Sequence, residues 1–142
     1  PLSDQDSSRH NMLMDTVRDI ERVGDHFENI LELIEYQEVH RIVLTPDALE
    51  DVSEMFELTI KTVEKAIEAL NTNDVKLAQE VAEQENVIDK MERQFRKNHI
   101  LRVNEGKCSG QAGIMFVDIL SNLERIGDHA CNVAEAVLGR RT

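Results

Sequence analysis

Residues 15–32 read DTVRDIERVGDHFENILE, and residues 118–135 read DILSNLERIGDHACNVAE. The two stretches align without a gap. Glu21, Arg22, Gly24, Asp25, His26, Asn29 and Glu32 recur as Glu124, Arg125, Gly127, Asp128, His129, Asn132 and Glu135. Shared amphipathicity does not reproduce polar identities position by position, so internal duplication is the economical explanation. In the first copy, apolar or small residues fall at Leu13, Val17, Ile20, Gly24, Phe27, Leu31 and Ile34. Steps alternating between three and four residues mark one helical face, and they predict a helix over residues 8–38 with that face as its buried seam.

Working outward, residues 40–44 break the pattern, and Thr45-Pro46-Asp47 then supplies a capping hydroxyl, a first-turn proline and a first-turn acid. A second helix follows through Phe56, Ile60, Val63, Ile67 and Leu70. The run Asn71-Thr72-Asn73-Asp74 offers a stop and a new N-cap. Leu77, Val81, Ile88, Met91 and Phe95 mark a third helix. Residues 104–110, with two glycines and a serine, form a link to a last helix that Gly139 terminates. Short links make successive helices antiparallel neighbours. The expected fold is all-α, an antiparallel helical bundle, in which Met12, Met14, Met55, Met91 and Met115 serve as packing residues.

If the repeating unit is a three-helix bundle ending in the duplicated segment, residues 40–142 form a complete unit. Residues 1–39 then supply only the last helix of a preceding, incomplete one. Either the chain is a fragment of a longer protein or its first helix finds partners in another subunit. Both cases imply association through the seam of that helix, and a homo-oligomer is expected.

The chain has 142 residues, enough for one domain with a real core. Its formal net charge of -12 repels phosphate backbones and anionic lipid heads, so neither nucleic acid nor a membrane surface is an expected partner. Cations and basic partners suit it better. Cys108 and Cys131 are too few for a disulfide framework or a thiolate zinc site, which points to free thiols in a reducing compartment. No apolar run approaches the roughly 20 residues of a membrane-spanning helix, so direct membrane insertion by these residues is not expected.

Glu21-Arg22-Val23-Gly24-Asp25 and Glu124-Arg125-Ile126-Gly127-Asp128, each followed by histidine, resemble the E(D)xxxD signature of PhoU phosphate-regulatory proteins. The resemblance covers nearly the whole chain. Residues 99–103 and Gly106-Lys107-Cys108 look more like the C-terminal PhoU-like domain of sodium/phosphate cotransporter-related proteins than a free-standing PhoU. The family consists of tandem three-helix bundles whose motifs bind multinuclear iron or zinc clusters, and it is associated with control of phosphate uptake and signalling. The resemblance therefore implies a regulatory module rather than an enzyme. It further implies a cytoplasmic location, alone or as the soluble domain of an inner-membrane transporter. The implied partner is the transporter's membrane domain or a phosphate-signalling protein. Paired motifs hold each cluster in this family, so Glu85 and Asp89 of the third helix are implied as partners of Glu124 and Asp128. No equivalent motif precedes Glu21 and Asp25, whose site should be incomplete unless another chain completes it.

Spacing agrees with a shared cation site. In heptad terms Leu123 and Gly127 are d and a, so Glu124 is e and Asp128 b. Counting from Ile88 and Met91 gives Glu85 and Asp89 the same e and b places. Antiparallel helices bring e toward e. With the turn centred near Gly106 and Lys107, Glu85 lies level with Asp128, and Asp89 with Glu124. Like charges at i, i+4 cost roughly 0.2–0.5 kcal/mol per pair in an isolated helix, and two such edges facing one another repel further. A multivalent cation held by oxygen ligands relieves that repulsion. Glu92, Asp118 and Glu135 are further candidate ligands or supports, and His26 and His129 are secondary ones. The simplest reading of Gly24 and Gly127 is close approach of a neighbouring helix, and that of Cys131 is small buried filler.

Two rival readings stand beside this one. An acidic flank on a helix is usually hydrated surface, and Arg22 and Arg125 could neutralise it locally, leaving a structural adaptor bundle. A carboxylate-bridged di-iron enzyme typically needs Glu-x-x-His pairs projecting into the core, and no histidine here has a glutamate three residues before it. The acids fall on flanks, the glycines near Lys107 do not form a phosphate loop, and no catalytic residue is assigned.

Overall fold

The computed structural model describes residues 3–139. Helix α1 spans Asp4–His40, α2 Pro46–Thr72, α3 Val75–Asn104 and α4 Gly110–Val137, with no strand among the described residues. The start of α2 follows from its first residues. The Thr45 hydroxyl accepts from the Ala48 amide, and Pro46 costs nothing at a position whose amide has no helical partner. Asn73 ends α2 in a left-handed conformation with φ 54°, and Asp74 then caps α3 by accepting from the Leu77 amide. Ser109 caps α4 in the same way, through Ala112. Gly139 follows α4 with φ 70°. At the other end α1 begins earlier than its apolar pattern, because the Ser3 hydroxyl accepts from the Asp6 amide and Asp4 and Asp6 complement the helix dipole.

Helix α4 is the hub. It packs against α1, α2 and α3, while α2 and α3 also pack on each other. Phe116, Leu120, Leu123 and Ile126 are fully buried, joined by Met55 of α2, Ile88 of α3, and Ile42 and Leu44 of the α1–α2 link. A second cluster at the opposite end is built from small residues, including Ala66, Ala69, Ala78, Ala130 and Ala134. Gly127 lets α3 come close: a Cβ there would lie 3.3 Å from Ile88 Cδ1. Near the α3–α4 turn the buried His99 ring stacks on Phe116 at 4.0 Å. Burial and the neighbouring Arg102 hold its pKa below the usual histidine value. Arg102 donates to His99 Nδ1, reaches Asp51 of α2 at 3.5 Å and lies 5.5 Å over the Phe116 ring of α4, tying three helices together.

The duplicated helices differ in what they bury. The a/d face of α4 is interior, but in α1 the expected seam is not. Leu13, Val17, Ile20, Leu31 and Ile34 are 42–60% exposed, and a Cβ on Gly24 would meet nothing within 4 Å. Met14 is exposed as well. Instead α1 meets α4 through an adjacent stripe that includes Thr16, Asp19, His26 and Ile30. This joint is pseudo-symmetric. His26 Nδ1 donates to Asn122 Oδ1 at 3.0 Å, and Asn29 donates to the same oxygen at 3.3 Å. In mirrored fashion His129 Nδ1 donates to Asp19 Oδ1 at 2.9 Å, and Asn132 donates to it at 3.2 Å. The two imidazoles stack across the pseudo-axis, 5.5 Å apart. Asp19 and Asn122 occupy the same place in the two repeats, so the joint is held by polar contacts that an apolar pattern does not register.

Leu123→Ala should cost about 2–5 kcal/mol in urea unfolding, whereas Leu31→Ala, at a 60% exposed site, should stay within roughly 0.5 kcal/mol at low protein concentration. Asp19→Ala leaves two half-buried donors without this acceptor and should cost about 1–2 kcal/mol by the same measurement.

Candidate metal centre

Because α3 and α4 are antiparallel, the acids on their matching flanks meet. Glu85, Glu124 and Asp128 each bring a carboxylate oxygen to within 4.8 Å of the other two. Glu85 comes from α3, the other two from α4, and all three lie at the edge of the bundle, with Glu85 and Glu124 half-buried and Asp128 exposed. Asp128 is the shared member, since the protonated forms of Glu85 and of Glu124 each donate a hydrogen bond to it. Asp89 stands beside the group and adds its field to both glutamates. Its own carboxylate lies 3.9 Å from Arg93 on the solvent side.

The electrostatics record the crowding. Burial first, then the hydrogen bond and charge of Asp128, push Glu85 up to about 7 from an ordinary 4.5, with Asp89 and Glu135 adding to the effect. Glu124 is likewise pushed up to about 7, by burial, Asp128, Asp89 and Glu92 in that order. Among the described residues no lysine or arginine pairs with Glu85, Glu124 or Asp128. Arg125, which could have relieved the patch, lines a groove on the α1 side with Asn29 and Glu32. Glu92 is held by Arg96. An all-oxygen donor set of this size, lacking a compensating side-chain cation, fits a hard or borderline multivalent ion.

The remaining candidates lie elsewhere. Glu21 and Asp25 are exposed on α1, and Asp25 sits 3.9 Å from Arg22. Asp118 faces a groove with Leu33 and Tyr36 on the other side of α4. His26 and His129 turn inward to the α1–α4 joint, where their Nδ1 atoms are already bonded. Cys131 is half-buried on α4. Residues Asp19 and Asn122 were not marked by sequence reasoning; their one signal was a polar residue at the same place in both repeats.

A model of the PhoU domain matches residues 52–137. The phosphate-specific transport system accessory protein PhoU homolog 1 of Thermotoga maritima is 35% identical over 120 residues, covering 84% of this chain and 51% of its own length. The phosphate-specific transport system accessory protein PhoU homolog of Zymomonas mobilis is 32% identical over 129 residues, covering 83% of this chain and 48% of its own length. In fold, the chain matches the crystal structure of PhoU from Pseudomonas aeruginosa with a TM-score of 0.88 at 24% identity, covering 96% of this chain and 65% of that one. The chain thus spans about half the length of the curated relatives it matches. With the duplicated acidic motif, the helical bundle and these matches in agreement, the chain belongs to the PhoU domain family.

Proposed function

We propose that this chain is a metal-binding regulatory module of phosphate transport, acting through contact with a phosphate transporter or a phosphate-signalling protein and not through catalysis. One observation carries the metal part: three carboxylates from two helices converge without a basic side chain among them. The regulatory part rests on the relatives, whose descriptions name accessory proteins of a phosphate-specific transport system. No helix among the described residues is long and apolar enough to cross a membrane, so contact with a transporter would be made protein to protein. Residues 99–103 and 106–108 favour a sodium/phosphate cotransporter-type membrane domain as the setting.

Glu85, Glu124 and Asp128 would hold the ion, with Asp89 within reach of a second one in a multinuclear iron or zinc site. When bound, the metal supplies positive charge. The chain's own residues do the rest: α3 and α4 carry the ligands on opposite sides of one seam, so occupancy of the site fixes their relative position. Glu135 extends the negative patch at the Glu85 end and would attract the approaching cation, while Glu92 at the Glu124 end is engaged by Arg96.

Purified protein should retain iron or zinc by elemental analysis, and the double variant Glu124→Ala with Asp128→Ala should bind added metal at least about tenfold more weakly. Absence of metal together with unchanged affinity in the variant would leave the acids as a solvated surface and favour the adaptor reading. Turnover of a bound di-iron centre would favour the enzyme.

The raised pKa values add a pH test on metal-free protein. Both glutamates hold their protons more tightly when folded than when unfolded. Their stabilising contribution is therefore complete below about 4.5 and is lost as pH rises through about 7. Between those limits wild type should lose more stability than Glu85→Gln with Glu124→Gln, by an amount on the order of 1 kcal/mol after solvent screening. Thermal melts in chelator across that range give the comparison. Metal affinity should rise over the same interval, because protons and metal compete for the same oxygens.

A further inference from the structure

Along its outer face α4 leaves two hollows open, one against α3 and one against α1. Ile100 and Val103 of α3 and Gly110, Gly113 and Val117 of α4 line the first, of about 320 Å³. The second, of about 340 Å³, lies between Leu33 and Tyr36 of α1 and Met115 of α4. Ile114 and Asp118, one turn apart on α4, line both hollows and form the ridge between them. We propose that this trough takes a helical segment of a partner protein carrying two apolar side chains seven residues apart with a lysine or arginine between them. The apolar pair seats in the two hollows, and the cation lies on Asp118. This gives a place to the protein contact proposed above and rests on that reading, without using the metal.

Each hollow has a local cause. On the α3 side a Cβ at Gly113 would lie 2.9 Å from Val103 Cγ2, so glycine admits that side chain, while Gly110 has nothing within 4 Å and leaves the seam gaping toward the turn. On the α1 side the joint is fastened at two levels. Asn122 accepts from His26 and Asn29 at one, and Gln111 donates to the Tyr36 hydroxyl at 3.4 Å at the other. The second hollow lies between them. Ile114 is 69% exposed and Ile100 50%, so large apolar side chains stand in water beside apolar space that nothing fills. That combination suits an amphipathic helix laid in a groove. Asp118 decides the charge of the occupant. It is exposed, it lines both hollows, and among the described residues no lysine, arginine or histidine pairs with it. A long cationic side chain lays its apolar stem along Ile114 and brings its head to that carboxylate.

The spacing of the anchors follows from α4 itself. Packed helices stand about 8–10 Å apart, so hollows on either side of one helix are separated by roughly a helix width. Seven residues of helix rise about 10.5 Å, which sets one anchor in each hollow when the occupant crosses α4. The residue midway then falls over the ridge. Openness here does not depend on what packs on the exposed seam of α1. In heptad terms Gln111, Asp118 and Arg125 are the f places of α4, and α2 and α3 leave all three exposed. Helices set on α1 in the same way would take its seam and leave its own f places, Asn29 and Tyr36, exposed as well. The α3 wall belongs to residues 40–142, which hold the complete three-helix unit.

The probe is an alanine-based helical peptide of about 20 residues with two leucines seven residues apart and one lysine between them. Titrated into isotope-labelled, metal-free chain in chelator, it should shift the amide signals of Gly110, Gly113, Ile114 and Val117 and saturate. Ile114→Glu and Asp118→Lys should each raise the peptide Kd at least about tenfold while leaving the circular-dichroism melt unchanged, since both side chains are exposed. Glu64→Lys makes the same change of charge at an exposed place on α2 and should leave the Kd as it is. A peptide with its leucines on opposite faces should bind at least about tenfold more weakly. Absence of binding, shifts centred elsewhere, equal losses in Asp118→Lys and Glu64→Lys, or indifference to Ile114→Glu would each overturn the proposal. So would a self-association that Ile114→Glu abolishes, because the trough would then hold a second copy. None of these outcomes touches the metal reading, which elemental analysis tests separately.

Discussion

Helix α4 is apolar over most of its circumference, and it can be kept from water only if other helices surround it. Its buried residues include Phe116, Ile119, Leu120, Leu123, Ile126, Ala130, Val133 and Ala134, which cannot all lie on one narrow stripe. The positions of α1, α2 and α3 follow from that requirement, and so does the site. Glu124 and Asp128 occupy an edge of α4 that remains at the rim because Leu123 and Gly127 beside them point inward. Closeness to α3 at this level depends on Gly127, whose missing side chain admits Ile88. The acidic patch is thus a by-product of apolar packing in its geometry, and a cost to that packing in its electrostatics.

That cost is local. Two glutamates move up to about 7, which means that near neutrality the metal-free patch resolves its repulsion partly by keeping protons. A cation bound at the proposed site would do the same task without them. In the proposed metal site, competition between protons and metal for one set of oxygens would couple occupancy to pH and to the α3–α4 contact, a coupling of the kind a regulatory module can use.

The four helices, the caps at Thr45 and Asp74 and the α3–α4 pairing were legible in the sequence because each is set by local rules, whereas the Ser3 and Ser109 caps were not read. Thr45-Pro46, Asn73-Asp74 and Gly139 act within a turn of where they stand. The level of Glu85 with Asp128 needs only the turn and the helical period. The environment of α1 was not legible. Its three-and-four spacing states that a face is apolar, not that a partner within the chain covers it, and the structure covers the stripe next to it. Asp19, His26 and Asn122 look like surface residues in a pattern search, since nothing in one-dimensional spacing shows that each finds its hydrogen-bond partner on the other repeat. Gly24 and Gly127 share a motif and differ in use for the same reason.

The duplication also poses a sorting problem during folding. Two helices with nearly the same polar motif could compete for the groove between α2 and α3, and the wrong winner would give a mis-threaded bundle. The small-residue cluster decides the contest. Where α4 offers Ala130 and Ala134 to Ala66, Ala69 and Ala78, α1 would offer Phe27 and Leu31, too bulky for a space shaped by alanines. Repetition in the chemistry of the motif is thereby separated from ambiguity in the order of assembly by two side-chain volumes.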